Sequence, residues 1–445
     1  MTAAAPSLRP VPTLRELPRI DATVRSVALR ILTHIRNGEL VIVEDGGVRH
    51  RFGSMATFPV RAVLRVHRPT FYRSLLRGSI GAARSYAEGA WDCDDLVALV
   101  RLAIRNLDTL DRIQAAMIPV LRPLRNAGEW LHRNTRTRSR DNIAQHYDIG
   151  NDLFALMLDE TMSYSNGIFE TAQASLHEAS VAKIDRLCRK LQLGPSDHLV
   201  EIGSGWGGLA VHAAETFGCR VTTTTISAEQ HRVATERVRT HGLERQVTVL
   251  LSDYRDLRGS FTKLVSVEMI EAIGWQYFDA YFDVCSRLLT PDGLAAIQAI
   301  TQPHQAFLAT RGSSSFIRTQ VFPGGICPSL PSLIEAAEGT GDLQLVGLED
   351  ITSSYPLTLS AWRANFLANA SRLDPRFDER FRRSWVLYLS LCQAGFTERR
   401  ISDVQLLFAK SAFPANRLPR WGAPDPAPAH AVAPLEARAG EAALH

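Results

Sequence analysis

Cysteine is scarce: six residues, at 93, 188, 219, 285, 327 and 392, in a chain of 445, with no Cys-x-x-Cys spacing. That excludes a disulfide framework and a dithiol redox motif, and it predicts a reduced, cytoplasmic protein. No His/Cys cluster has metal-ligand spacing, so no metal is expected. No apolar run approaches the roughly 18 residues of a membrane span, and no signal-peptide core of about 7–15 apolar residues opens the chain. Any membrane contact is therefore expected to be peripheral. Net charge is also small, at +4, but it is unevenly spread. Arg122, Arg125, Arg133, Arg136, Arg138 and Arg140 face a single acid, Glu129, within the connector 113–140. Such a stretch suits an anionic surface. Aromatic residues are missing between Arg133 and Arg140, which argues against a stacking nucleic-acid interface.

What the chain does have is a glycine-dense turn. The apolar run His198–Ile202 passes through Gly203-Ser204-Gly205-Trp206-Gly207-Gly208 into a helical pattern beginning at Leu209. A strand entering a helix through such a turn brings a ligand against bare backbone at a helix N-terminus. Gly203, Gly205 and Gly208 also fit the dinucleotide fingerprint G-x-G-x-x-G. That reading wants an acid about 20 residues on, at the end of the next strand. The strand Cys219–Ser227 offers only hydroxyls there. Glu201, two residues before the first glycine, is instead typical of S-adenosylmethionine sites.

Segmentation follows. Residues 1–20 read as a loose N-terminus. Residues 21–112 read as a small α+β accessory domain, with a hairpin turning at Glu44-Asp45-Gly46-Gly47, a strand over Val60–Val66 and a helix over Leu96–Leu110. Residues 113–140 are the basic connector, which suits either a lipid surface or an interdomain helix. Residues 141–413 alternate strand and helix, which predicts an α/β, doubly wound, Rossmann-like sheet. Its strands are expected at His198–Ile202, Cys219–Ser227, Val247–Leu251, Leu264–Ile270, Leu294–Ile300 and Val404–Phe413. Helices are expected at Ser175–Leu193, Ala228–Thr240, Tyr277–Leu289, Leu359–Leu373 and Phe381–Gln393. Residues 414–445 are Ala/Pro-rich and read as a disordered tail.

Six further segments share one likeness. His146-Tyr147-Asp148-Ile149-Gly150-Asn151, Leu158–Ser165, Thr225–Gln230, Asp253-Tyr254-Arg255-Asp256, Phe322-Pro323-Gly324-Gly325 and Glu88–Leu96 together resemble the cyclopropane fatty acid synthase family over residues 40–413. The resemblance implies methyl transfer from S-adenosylmethionine to the cis double bond of an unsaturated phospholipid acyl chain, by an S-adenosylmethionine methyltransferase sheet. It implies that Gly203, Gly205 and Gly207 line the methionine part of the cofactor, with Glu201 beside them, and that Tyr164 and Ser165 close over it. Thr225, Ser227 and Gln230 would face the ribose; N-cap chemistry is the alternative for the two hydroxyls. Asp253 and Tyr254 would lie near adenine. Glu271 matches the family's active-site glutamate and Tyr355 its bicarbonate-binding tyrosine. His146, a lone histidine at a helix start, is expected to be structural.

The likeness breaks at the base site. The family carries Cys, His and His where this chain has Asn166, Ala272 and Gln298; Ile300 is kept. Asn166, Gln298 and Tyr355 still offer donors to an oxyanion such as bicarbonate, but neither amide titrates near neutral pH. The chain thus resembles a side branch, in which the product is either a cyclopropane or a methylene-branched chain, the latter reduced to methyl by a separate reductase. A methyltransferase for a small soluble substrate and a non-catalytic lipid-binding relative stay open. So does the accessory domain's role, orienting the enzyme on lipid or forming a homodimer.

Overall fold

The computed structural model describes residues 19–75, 78–107, 150–311 and 325–418. The connector 113–140 and its arginines, His146 and the Phe322-Pro323-Gly324 segment lie outside those residues, as do the extreme N-terminus and most of the tail.

The N-terminal part holds α1 (Arg19–Leu32), β1 (Gly38–Glu44), β2 (Arg49–Ser54), β3 (Arg61–Val66), α2 (Thr70–Leu75), α3 (Gly78–Ala87), β4 (Trp91–Cys93) and α4 (Leu96–Arg105). The expected hairpin joins β1 to β2, with Gly46 and Gly47 both at positive φ. The strand order is β2-β1-β3-β4, with β3 parallel to β1. One face of this sheet packs on the helices around Ile42, Ala62, Val66, Phe71, Tyr72 and Leu102. Glu44, buried in that layer, is held by Arg25 and the Tyr72 hydroxyl. α4 ends at Arg105, where Asn106 caps it and ties it back to Asn37; residues 108–110, to which the expected helix ran, lie outside the described residues.

The second part contains α5 (Asn151–Met157), α6 (Leu176–Lys190), β5 (His198–Ile202), α7 (Gly208–Phe217), β6 (Arg220–Thr225), α8 (Ala228–Thr240), β7 (Val247–Leu251), β8 (Phe261–Val267), α9 (Phe278–Leu288) and β9 (Leu289–Thr301). These are followed by α10 (His304–Thr310), α11 (Leu330–Thr340), β10 (Leu343–Asp350), α12 (Tyr355–Ala368), α13 (Glu379–Thr397) and β11 (Ser402–Lys410). The seven strands run β10-β11-β9-β8-β5-β6-β7. The five from β7 to β9 are parallel; β11 and β10 add antiparallel to the β9 edge. The sheet is the expected doubly wound one, and its order reverses between β5 and β8. A crevice opens at such a switch point beyond the carboxyl ends of the strands.

Local chemistry explains the boundaries. Ser175 and Glu178 form a capping box on α6, and the Ser227 hydroxyl caps α8. Two expectations are corrected. β8 ends at Val267, not Ile270, because Glu268 takes a left-handed φ of 49° and turns the chain off the sheet. The helix expected over Leu359–Leu373 begins at Tyr355 and ends at Ala368, since Pro356 is tolerated in a first turn. β10 and α11 were not expected from the sequence at all.

Candidate active site

β5 delivers Glu201 and the glycine turn to the crevice. Gly203, Gly205 and Gly207 have φ of 99°, 49° and 85°, conformations in which a side chain is strained. A Cβ on Gly205 would meet no atom within 4 Å, so the backbone there borders open space. Glu201 is buried, and its Oε2 has no hydrogen-bond partner. Burial pushes its carboxyl up to about 8. An orphaned acceptor beside an open glycine turn fits a ligand that brings its own donor.

The segment after α5 lies over this turn. Arg237 on α8 donates to the carbonyls of Glu160 and Thr161, pinning the strip that carries Tyr164 and Ser165. The Tyr164 ring packs on Phe154 and Trp362, with centroids 4.9 and 5.1 Å away, and its hydroxyl meets that of Tyr388 at 3.1 Å. Ser165 accepts from the ammonium of Lys183, 2.9 Å away and buried.

At the ends of β6 and β7 the expected cofactor residues are engaged locally. The Thr225 hydroxyl donates to Gln230 Oε1, Thr225 Oγ1 accepts the Ser227 N–H, and Ser227 Oγ accepts the Gln230 N–H. This is N-cap chemistry at α8, the alternative left open for those hydroxyls. Asp253 accepts from the backbone and guanidinium of Arg255, while Tyr254 is buried against Tyr281.

The base site holds the largest departure from expectation. Asn166, Gln298 and Tyr355 do converge, but on a protein carboxylate. Glu268 Oε1 accepts the Asn166 backbone N–H at 2.9 Å and Gln298 Nε2 at 2.8 Å, and Oε2 accepts the Tyr355 hydroxyl at 2.5 Å. The side chain of Asn166 does not join them, because it donates to the Ile351 carbonyl and accepts from Thr358. Glu271 stands nearby. Its Oε1 accepts the Ile300 N–H at 2.5 Å and its Oε2 has no partner. Burial, reinforced by the charge of Glu268, pushes Glu271 up to about 8. Glu271 is therefore largely neutral at pH 7; burial raises the Glu268 carboxyl as well, and the three donors that converge on it, with the charge of Lys183, act against that rise.

Aromatic rings wall the chamber. Tyr355 stacks on Phe396 at 4.0 Å and stands edge-on to Trp362 at 6.3 Å. The Trp362 indole N–H has no hydrogen-bond partner. The ensemble offers an open glycine turn with an orphaned acceptor, a packed aromatic cluster and a buried carboxyl held by three donors. Sequence reasoning missed Glu268, Lys183 and Asp403. A charged residue at the mouth of an apolar strand was the available signal for the first, and an acid directly before the largely apolar stretch Val404–Phe408 for the last.

A family model described as mycolic acid cyclopropane synthetase matches residues 134–406. The tuberculostearic acid methyltransferase UfaA1 of Mycobacterium tuberculosis strain H37Rv is 36% identical over 402 residues, 86% of this chain and 92% of that protein. The cyclopropane-fatty-acyl-phospholipid synthase of Escherichia coli K12 is 34% identical over 370 residues, 81% of this chain and 91% of that one. Among solved structures, the mycolic acid cyclopropane synthase CmaA1 complexed with SAH and CTAB superposes with a TM-score of 0.57 and 30% identity, covering 61% of this chain and 98% of that one.

Proposed function

The chain belongs to the mycolic acid cyclopropane synthetase family, and from that premise we propose that it adds one carbon to the cis double bond of an unsaturated acyl chain in a phospholipid, using its own Glu268 as the base. The observation that carries this reading is the triply hydrogen-bonded Glu268 carboxylate, buried beside the glycine turn.

S-adenosylmethionine, when bound, supplies an electrophilic methyl on a sulfonium. Gly203, Gly205 and Gly207 give it backbone access and Glu201 the unpaired acceptor; Tyr164 and Ser165 cover it. Thr225, Ser227, Gln230, Asp253 and Tyr254 border its nucleoside side. The closed chamber excludes water and aligns the alkene, a poor nucleophile, for attack. The alkene's electron pair would form the new C–C bond as the methyl–sulfur bond breaks, its electron pair leaving with the neutral thioether S-adenosylhomocysteine, and a cation is left on the acyl chain. The faces of Tyr355, Trp362 and Phe396 meet that cation with π density. Glu268 then takes one proton from the methylated chain, and the freed electron pair closes a cyclopropane or forms a methylene. In the second case a separate reductase makes the methyl branch. The donors that the family resemblance assigned to bicarbonate are thus engaged by a residue of the chain. Glu271, neutral, holds the Ile300 end of the β9 rim.

No described helix is long and apolar enough to cross a membrane. A phospholipid substrate supports a cytoplasmic enzyme working peripherally on an anionic leaflet, for which the run of arginines between 122 and 140 supplies positive charge. The division at 21–112, 113–140 and 141–413 is part of this reading, with the accessory domain orienting the catalytic one.

The test uses full-length protein, methyl-13C S-adenosylmethionine and vesicles of monounsaturated phospholipid. Labelled carbon is expected in the acyl chains, with high-field ring protons for closure or vinylidene protons for methylene. Glu268→Gln should lower kcat by about 10²-fold or more while S-adenosylmethionine affinity holds. Absence of label in lipid, with the cofactor bound, overturns the function; an undiminished Glu268→Gln overturns the assignment of the base.

A further inference from the structure

Behind Glu268 lies a second buried acid that the reaction above does not use. β9 and β11 pair in a register that sets Gln405 opposite Gln298 and Asp403 opposite Ile300. Asp403 is fully buried, in a strand otherwise lined there by Val404, Leu406 and Leu407. Its Oδ2 accepts Gln298 Nε2 at 3.1 Å, the same amide nitrogen that reaches Glu268 at 2.8 Å. One NH2 group therefore bridges two carboxyls.

The direction of that amide is fixed from outside. Lys190 Nζ lies 2.5 Å from Gln405 Oε1, and an ammonium only donates. Gln405 must turn its oxygen to Lys190, so its Nε2 faces Gln298 Oε1, 3.0 Å away. Gln298 then has only its NH2 left for the carboxyls. Amide orientation, ordinarily ambiguous, here follows from one lysine.

The two carboxyls are served unequally. Glu268 receives three donors. Asp403 receives the Gln298 amide on Oδ2, with the Asn166 side chain as a second donor in reach, yet its Oδ1 has no hydrogen-bond partner although the Glu268 carboxyl also lies within hydrogen-bonding reach. Two acceptors in contact repel unless a proton lies between them. The ionisable groups facing the pair are Lys183 from α6, Glu271 after β8, and Tyr355 at the start of α12, with Cys327 lying against the same acids. Lys183 is the one buried cation of that set; burial lowers its own pKa and it also faces Asp159 and Glu201, so it cannot balance both carboxylates of the pair. Burial, and then the charge of Glu268, hold the Asp403 carboxyl well above the usual carboxylate range.

We propose that Asp403 is protonated in the working enzyme and donates its O–H to the Glu268 carboxylate, acting as a positioning residue for the proton-removing step. This rests on Glu268 being the base. A neutral Asp403 fixes the orientation of the Glu268 carboxylate without adding a second negative charge. An ionised Asp403 would instead drive Glu268 to take up a proton of its own, and the base would be lost before substrate arrived.

Infrared difference spectra of the full-length protein near pH 7 read the proton directly. The carbonyl band of a neutral carboxyl is expected in the wild type and is expected to lose intensity in Asp403→Asn. Turnover on the vesicles above gives the second readout. Asp403→Asn, uncharged and still a donor, should keep most of the wild-type kcat. Asp403→Leu should lower kcat about tenfold or more, leave S-adenosylmethionine affinity unchanged, and raise the isotope effect of a deuterated methyl donor. An unchanged carboxyl region in Asp403→Asn overturns the proposal, as does abolished turnover in that variant with normal cofactor binding. The base assignment stands or falls separately on Glu268→Gln, and the infrared experiment needs no turnover.

Discussion

Glu268 has a backbone that few residues tolerate. A non-glycine residue with φ of 49° carries about 1–2 kcal/mol of strain, and such strain persists where the surroundings compensate for it. Here the compensation is the set of bonds from Asn166, Gln298 and Tyr355. Glu268→Gly should relieve the backbone and empty the carboxylate's place while leaving the three donors standing. Its turnover should be very low, and added formate or bicarbonate should restore part of it, measured as label transferred to lipid against anion concentration. A Glu268→Gln control, with the space filled, should show no restoration. The sequence marks Glu271 through the family likeness, and it marks Asn166, Gln298 and Tyr355 as a disturbed anion site. Its only sign of Glu268 was a charge at the mouth of an apolar strand; the role was hidden because the partners stand 102, 30 and 87 residues away in the chain, and only the folded crevice brings them to one carboxyl.

Elements with strong punctuation were legible. α8 begins at its Ser227 cap and gives way to Gly242, and its bounds match the expected Ala228–Thr240. The hairpin at Gly46-Gly47 was equally plain. β10 was not, because an edge strand exposed at Gln344, Leu348 and Asp350 lacks a clean alternation of buried and exposed residues. α11 is short and carries Gly339 near its end, which weakens its helical signal, although Ser329 caps it and Pro331 in its first turn is compatible with a helix start. The junction between α7 and the strip carrying Tyr164 depends on a close approach that only glycine permits. A Cβ on Gly208 would lie 2.4 Å from the Thr161 carbonyl oxygen. Gly208→Ala should therefore destabilise the protein by about 1–3 kcal/mol and weaken S-adenosylmethionine binding about tenfold. Thermal unfolding and equilibrium dialysis check the two effects, and unchanged affinity would mean that the strip does not cover the cofactor.

For the whole molecule, α13 is the shared strut. Tyr388 and Phe396 face the aromatic chamber, whereas Leu387 belongs to the core of the N-terminal sheet. Arg383 donates to the Tyr86 and Trp91 carbonyls and to Asp92. Glu398, just past the end of the helix with its side chain fully buried, receives both Arg101 and Arg105 of α4. Glu398→Ala should lower stability by about 1–3 kcal/mol, a range held down by the partial exposure of both arginines. Scanning calorimetry should still show one transition, since Leu387 and Arg383 continue to join the two sheets; two separated transitions would mean that they do not act as a single strut.

One further result follows from the left-handed turn after β8. An anion carried on the polypeptide itself need not be recruited from the surroundings, so its occupancy cannot fall when dissolved carbon dioxide is scarce. The enzyme's pace would then be governed by lipid and methyl-donor supply alone, the same in a sealed, respiring culture as in one purged with nitrogen.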